Sequence, residues 1–198
     1  MTTNTQELPF NTVDSWAIWN KPETSLNNKS AAEREKLFGE SYQPESFPED
    51  ALTDNIAEKL QNTEYVLVGL NPGNAAVKQD PKTNFLNFHG AKKSMDYRLA
   101  AALYDTKMWG AFMTDLTPVI ESDSTKVKPS QKDVNNLESH LDELNIPATA
   151  TIVALGNASN EALAKYAKRN VVTIPHYSGA NGHWNAETVH EKVLAITK

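Results

Sequence analysis

Apolar positions along this chain follow two rhythms. Four short runs are almost continuously apolar and rich in β-branched residues: Glu64–Leu70 (EYVLVGL), Gly110–Leu116 (GAFMTDL), Ala150–Leu155 (ATIVAL) and Asn170–Ile174 (NVVTI). Runs of this length without polar alternation predict strands buried on both faces. Elsewhere apolar residues recur at helical spacing, predicting helices over Asp96–Tyr104, Ser130–Leu144, Ser159–Arg169 and Ala186–Thr197. Ser130 with Asp133, and Asn185 before the last stretch, supply N-caps. Strands alternating with helices predict an α/β fold, a parallel sheet covered on both faces. A ferredoxin-like α+β arrangement would need half-polar, alternating strands, and these runs are not of that kind.

Residues 1–62 read differently. Residues 1–29 are polar and turn-rich, but Phe10, Trp16, Ile18 and Trp19 predict a segment packed on the body. Ser30 caps a helix over Ala31–Phe38, with Glu33 completing a capping box. After Pro44 and Pro48, a helix over Asp50–Gln61 carries Leu52, Ile56 and Leu60 on one stripe. The expected organisation is therefore an acidic N-terminal segment, 1–62, on a domain of 63–198.

Charge sharpens this division. Residues 1–62 hold 11 Asp+Glu against 5 Lys+Arg, and so carry the whole formal charge of -6. That balance argues against coating nucleic acid by bulk electrostatics but leaves room for local patches. Two candidates are Lys78, Lys82, Lys92, Lys93 and Arg98, and Lys126, Lys128 and Lys132. Either also reads as an ordinary solvated loop. With zero Cys there is no disulfide, no thiolate nucleophile and no cysteine-ligated zinc or iron–sulfur cluster. No apolar run reaches membrane length and no basic-then-apolar leader opens the sequence. A cytoplasmic monomer without a membrane role is the expectation.

In an open parallel sheet, ligands bind beyond the carboxyl ends of the strands. The segments leaving the predicted strands are Asn71-Pro72-Gly73, Asp115 onward, Gly156-Asn157 and Pro175–Trp184. In Gly69-Leu70-Asn71-Pro72-Gly73, glycine permits close backbone approach, and Pro72-Gly73 forces a sharp turn. Asn71 then offers an amide donor and acceptor at the strand's end, although Asn-Pro-Gly is good turn chemistry anywhere. In Pro175-His176-Tyr177-Ser178, the histidine is placed to donate a hydrogen bond to a ligand oxygen; a surface histidine in a glycine-rich turn is the plainer reading. His89 lies near the first basic cluster and joins the candidates. His140 and His190 fall within helices and are expected to face solvent. No His/Asp/Glu spacing suggests a metal. Esterase, P-loop and dinucleotide motifs are absent.

A strand ending Gly-Leu-Asn-Pro-Gly and a late strand ending in a His-x-Ser loop resemble the uracil-DNA glycosylase superfamily. The first looks like the Gly-x-Asn-Pro-Gly of its mismatch-specific uracil/thymine branch. Val153-Ala154-Leu155-Gly156-Asn157-Ala158, followed by Ala162-Leu163, is similar to that superfamily's Leu-Gly strand-to-helix turn. Phe112–Leu116 is similar to the strand whose final polar residue, commonly Asn, reads the base. The resemblance runs from about Tyr65 to the C-terminus. It implies a three-layer α/β/α sandwich around a four-stranded parallel sheet, in agreement with the strand count. It also implies hydrolysis of the N-glycosidic bond of a base in DNA, without metal or cofactor. Asn71 would position the water and His176 would bond the departing base. Phe85 or Phe88, the latter preferred, would stack on the base, and Tyr177 or Trp184 would form a wedge or wall.

Two positions depart from the pattern. Tyr177 stands where the family usually has Pro. Asp115 stands where Asn would read the base; ionised, it accepts only and suits an amino group or ring N–H. Kept neutral by burial, it would donate. A non-catalytic nucleotide-binding module and a hydrolase of free nucleosides stay open as alternatives.

Overall fold

The computed structural model describes residues 8–52, 55–74, 85–178 and 184–198. Four parallel strands form where the apolar runs lie: β2 (Tyr65–Gly69), β3 (Phe112–Asp115), β4 (Thr151–Leu155) and β5 (Val171–Ile174). A fifth, two-residue strand, β1 (Ser15–Trp16), adds antiparallel to β3, so the sheet order is β1-β3-β2-β4-β5. This corrects the expected four-stranded sheet. Two residues are too few to show a periodicity, and β1 is held instead by Trp16, which is fully buried edge-on against Phe112.

Side chains alternate across the sheet as a pleat requires. Val66, Val68, Phe112, Ile152 and Ala154 face one layer, containing α2 (Ile56–Gln61), α4 (Gln131–Glu143) and α5 (Asn157–Tyr166). Leu67, Met113, Val153 and Leu155 face the other, containing α1 (Ala31–Glu40), α3 (Tyr97–Leu103) and α6 (Ala186–Ile196). The result is an α/β/α sandwich. Ser30 and Glu33 form the expected capping box, and Asn185 caps α6 by accepting from Thr188 N–H. The stripe Leu52, Ile56 and Leu60 predicted one helix, but a single 3₁₀ turn spans Glu49–Ala51 and α2 begins only at Ile56. Its start is set by Asn55, whose side chain accepts from Glu58 N–H at 3.1 Å.

The N-terminal segment is tied into the body by polar anchors as well as by apolar packing. Trp19 Nε1 and Tyr42 Oη donate to the buried Asp96 carboxylate, at 2.8 and 2.6 Å. Asp14, also buried, accepts from Thr114 Oγ1 (2.9 Å) and from His140 Nε2 (2.8 Å). His140 therefore does not simply face solvent, and neither does His190, whose Nδ1 lies 2.7 Å from the Ala102 carbonyl. Burial opposes the His140 imidazolium, but the hydrogen bond and charge of Asp14, with Glu143 behind it, outweigh burial and raise its pKa above the ordinary 6.5. A histidine whose folded pKa is raised contributes stability below the unfolded pKa and loses it as pH rises through the folded one. His140→Gln should thus destabilise the protein by about 1–3 kcal/mol at pH 6. The gap from wild type should narrow in urea melts run above pH 7.

Candidate active site

At the carboxyl edge of the sheet the strand ends continue as a laced rim. Beyond the paired residues Gly69 and Asp115, Leu116 N–H donates to Gly69 O (3.0 Å) and Thr117 N–H to Leu70 O (3.2 Å). The turn at Pro72-Gly73 then brings Glu121 N–H to Pro72 O (3.1 Å) and Asn74 N–H to Ser122 Oγ (2.9 Å). Asn71 is the rivet. Its Nδ2 faces the carbonyls of Pro72, Val119 and Glu121 at 2.9, 2.8 and 2.7 Å. The donor half of the amide is thus engaged by the protein itself, and among the described residues only Oδ1 is left to meet a ligand. This narrows the expectation that Asn71 offers both. Leu70 and Pro72 on either side of it are buried, while Gly73 is exposed.

Asp115 ends β3 and turns inward. It is buried, and its Oδ2 accepts from Asn87 Nδ2 at 2.9 Å. A Cβ at Gly69 would collide with Asp115 Oδ1 and fall 2.9 Å from Phe88 Cε1, so glycine there is a packing requirement. Gly69→Ala should displace Asp115 and destabilise by about 1–3 kcal/mol, read as a lower midpoint in urea. Burial pushes the Asp115 carboxyl up to about 7; the Asn87 bond holds it down and the Asp14 charge pushes it further up. The neutral form foreseen as the alternative is therefore accessible near neutral pH.

The turn carrying Asn87 is held by the N-terminal segment. Ser15 Oγ donates to Phe85 O (2.8 Å), Asn87 Nδ2 also donates to Val13 O (2.8 Å), and His89 Nε2 lies 3.1 Å from Trp16 O. Phe85 and Phe88 both adopt left-handed backbone, φ 65° and 68°, a conformation uncommon for side chains of this size and sustained by such outside contacts. Of the two candidate rings, Phe85 is taken up by the core between Phe10 and Phe47, with centroids at 5.1 and 5.5 Å. Phe88 stands against Gly69 at the sheet edge. His89 is withdrawn from the site: it is buried against Trp19 and Phe47, and desolvation lowers its pKa to about 4.

At the other end of the edge, Gly156 (φ 86°) caps β4, and a Cβ there would lie 3.0 Å from His176 Cβ. This close approach seats the His176 loop, with the exposed Asn157 opening α5 alongside. Ser178 N–H donates to His176 Nδ1 at 3.0 Å, and the ring stacks on Tyr177 with centroids 4.5 Å apart. Burial lowers the His176 pKa to about 4. The imidazole is therefore neutral at pH 7, with Nδ1 accepting and Nε2 carrying the proton. Tyr177, read as a possible wedge, is buried, and its phenol is pushed well above 10 by burial and by the charges of Asp96 and Asp115. Trp184 is likewise engaged, its Nε1 donating to Glu35 Oε2 at 2.8 Å.

Arg98 leaves the first basic patch for an interior role: Nε meets Glu35 Oε1 at 3.1 Å and Nη1 meets Tyr177 O at 3.4 Å. Lys78, Lys82 and His183 lie outside the described residues. Lys126 pairs with Glu121 and Asp123, while Lys128 and Lys132 are exposed beyond the loop pinned by Asn71. Beside the His176 loop, α1, α3 and α6 bound an open groove of about 540 Å³ lined by Glu35, Tyr97, Arg98 and Trp184.

Asn71, Asp115 and His176 thus occupy one edge, on strands ordered β3-β2-β4-β5. The outermost two strands are three spacings apart, roughly 14 Å. Asn87 and Glu35 carry no signal in the sequence, and Arg98 reads there only as part of a basic patch, since nothing local distinguishes an interior asparagine or ion pair from surface residues. Among the described residues no group of three or more His, Cys, Asp or Glu could hold a metal ion, and no helix is long and apolar enough to cross a membrane. No curated protein matches the chain. A family model described as the Uracil DNA glycosylase superfamily matches residues 58–197, from within α2 to just past α6.

Proposed function

The chain belongs to the uracil-DNA glycosylase superfamily, and we propose that it hydrolyses the N-glycosidic bond of a damaged or mismatched base extruded from DNA, with Asn71 and His176 as its catalytic residues. The observation that carries this reading is the hydrogen bond from Ser178 N–H to His176 Nδ1 at 3.0 Å, which leaves Nε2 to carry the proton of the neutral ring. In such hydrolysis the C1′–N bond breaks with its electron pair leaving on the base, so negative charge develops on the base and positive charge on the sugar. His176 Nε2–H is a fixed donor for an oxygen of the departing base. Asn71 Oδ1 accepts a hydrogen bond from a water, whose oxygen adds to C1′ and whose proton ends on the released base. An amide cannot act as a general base, so the chemistry relies on leaving-group stabilisation and positioning.

Recognition falls to Asp115 and Phe88. Because Asn87 donates to Asp115 Oδ2, that oxygen accepts, and the proton of the neutral acid sits on Oδ1. In that form Asp115 donates to a base oxo group; ionised, it favours an amino group or ring N–H. Phe88 supplies a ring face for stacking beside Gly69. The exposed Lys128 and Lys132 support contact with the phosphate backbone. The test is release of free base from oligonucleotides carrying uracil, hypoxanthine, xanthine or mismatched pairs, scored as alkali-labile abasic sites. Cleavage of at least one oxo-base substrate is expected. Binding without release across the panel would make the protein a non-catalytic module, and release from free nucleosides alone would make it a nucleoside hydrolase.

A further inference from the structure

We propose that Arg98, oriented by Glu35, is a positioning residue that sets the tautomer and orientation of the His176 ring. Arg98 Nη1 donates to the carbonyl of Tyr177, and the N–H that donates to His176 Nδ1 belongs to Ser178. Carbonyl and N–H are the two ends of a single peptide unit. In a planar trans peptide they point in opposite directions, so anchoring the carbonyl on Arg98 aims the N–H at the imidazole. The guanidinium also polarises the peptide, which makes its N–H a stronger donor.

Arg98 is itself held. Glu35 Oε1 accepts from Arg98 Nε and Oε2 accepts from Trp184 Nε1. One carboxylate therefore holds Tyr177, through Arg98, and Trp184 directly. Both members of the ion pair are about three-quarters buried, with side-chain exposures of 24% and 23%, so the pair is better shielded than a surface salt bridge. Glu35 lies on α1, outside the matched residues 58–197. The N-terminal segment thereby reaches the chemistry of a domain it precedes. The consequence for catalysis rests on the function proposed above; the consequence for the ring does not.

The experiment uses the full chain labelled with ¹⁵N and long-range proton–nitrogen correlation of the histidine rings at pH 7, with His176→Gln for assignment. Wild type should show an unprotonated Nδ1 and a protonated Nε2 at His176. The Arg98→Met variant should show averaged tautomers and about tenfold slower base release at unchanged KM. Glu35→Gln keeps an acceptor for Trp184 but loses the charge, and should shift the same signals in part. Arg98→Lys should restore the wild-type ring signals partially. Unchanged His176 signals in a folded Arg98→Met variant would overturn the proposal. Should that variant fail to fold, unchanged signals in Glu35→Gln would do so. Absence of base release by wild type, with the ring signals moving as stated, would count against the functional reading alone.

Discussion

Replacing His176 by alanine should lower base release by about 10²–10³-fold, the usual loss when one preorganised donor to developing negative charge is removed. Oligonucleotide affinity should change little, because the bond matters most as the base departs. Adding Asn71→Ala should bring release to background. The two losses need not multiply, since water addition matters only once the glycosidic bond has opened. Asn71→Asp would be no substitute. Its carboxylate would face the carbonyls of Pro72, Val119 and Glu121 that now receive Nδ2, and like partial charges would push the rim apart. A lower urea midpoint for that variant, rather than faster chemistry, is the expected result. Single-turnover assays of the three variants, with a urea melt of Asn71→Asp, check these outcomes. Wild-type rates in the double variant would remove both residues from the mechanism.

The second large effect concerns Asp115→Asn. Burial raises the Asp115 pKa from 3.8 to about 7. A group whose folded pKa is raised contributes stability below its unfolded pKa and loses it as pH rises through the folded value. Wild type should therefore lose stability between about pH 4 and pH 7 through this residue, by roughly 4 kcal/mol for a difference of that size. Asparagine cannot ionise and still accepts from Asn87, so the variant should lack this residue's share of the pH dependence and be more stable than wild type above pH 7. Activity follows the same proton. Release of an oxo base by wild type should fall as pH climbs through about 7, whereas Asp115→Asn, a permanent donor, should not show that limb. Parallel pH profiles of urea midpoints and release rates check both halves. A wild-type stability curve identical to that of Asp115→Asn would mean the carboxyl ionises normally.

Legibility in the sequence tracked how local the cause was. The strand at 65–69 and its neighbours were readable because a strand buried on both faces must be apolar along its whole length. Ser30 with Glu33 was readable because a capping box is a contact between residues three apart. The strand at Ser15–Trp16 was not, since its partner Phe112 is almost a hundred positions away. The same holds within the site. Asn71 and His176 follow strands and stood out, but Phe85 and Phe88 look alike in sequence. Only the packing of Phe85 on Phe10 and Phe47 separates them. His89 drew attention as a histidine beside lysines, yet its partner is the Trp16 carbonyl, supplied by the N-terminal segment. Asn87 gave no signal at all, because its meaning lies in bonds to Val13 and Asp115.

A crystal structure of the protein soaked with free uracil or hypoxanthine will show whether the strand ends form a seat for a flat base. The ring should stack on Phe88 at the edge next to Gly69, with one ring oxygen within hydrogen-bond reach of His176 Nε2 and another polar edge facing Asp115. A ring lodged instead in the groove between α1 and α6, or bound with His176 turned away from it, would mean that the strand ends are not the base site.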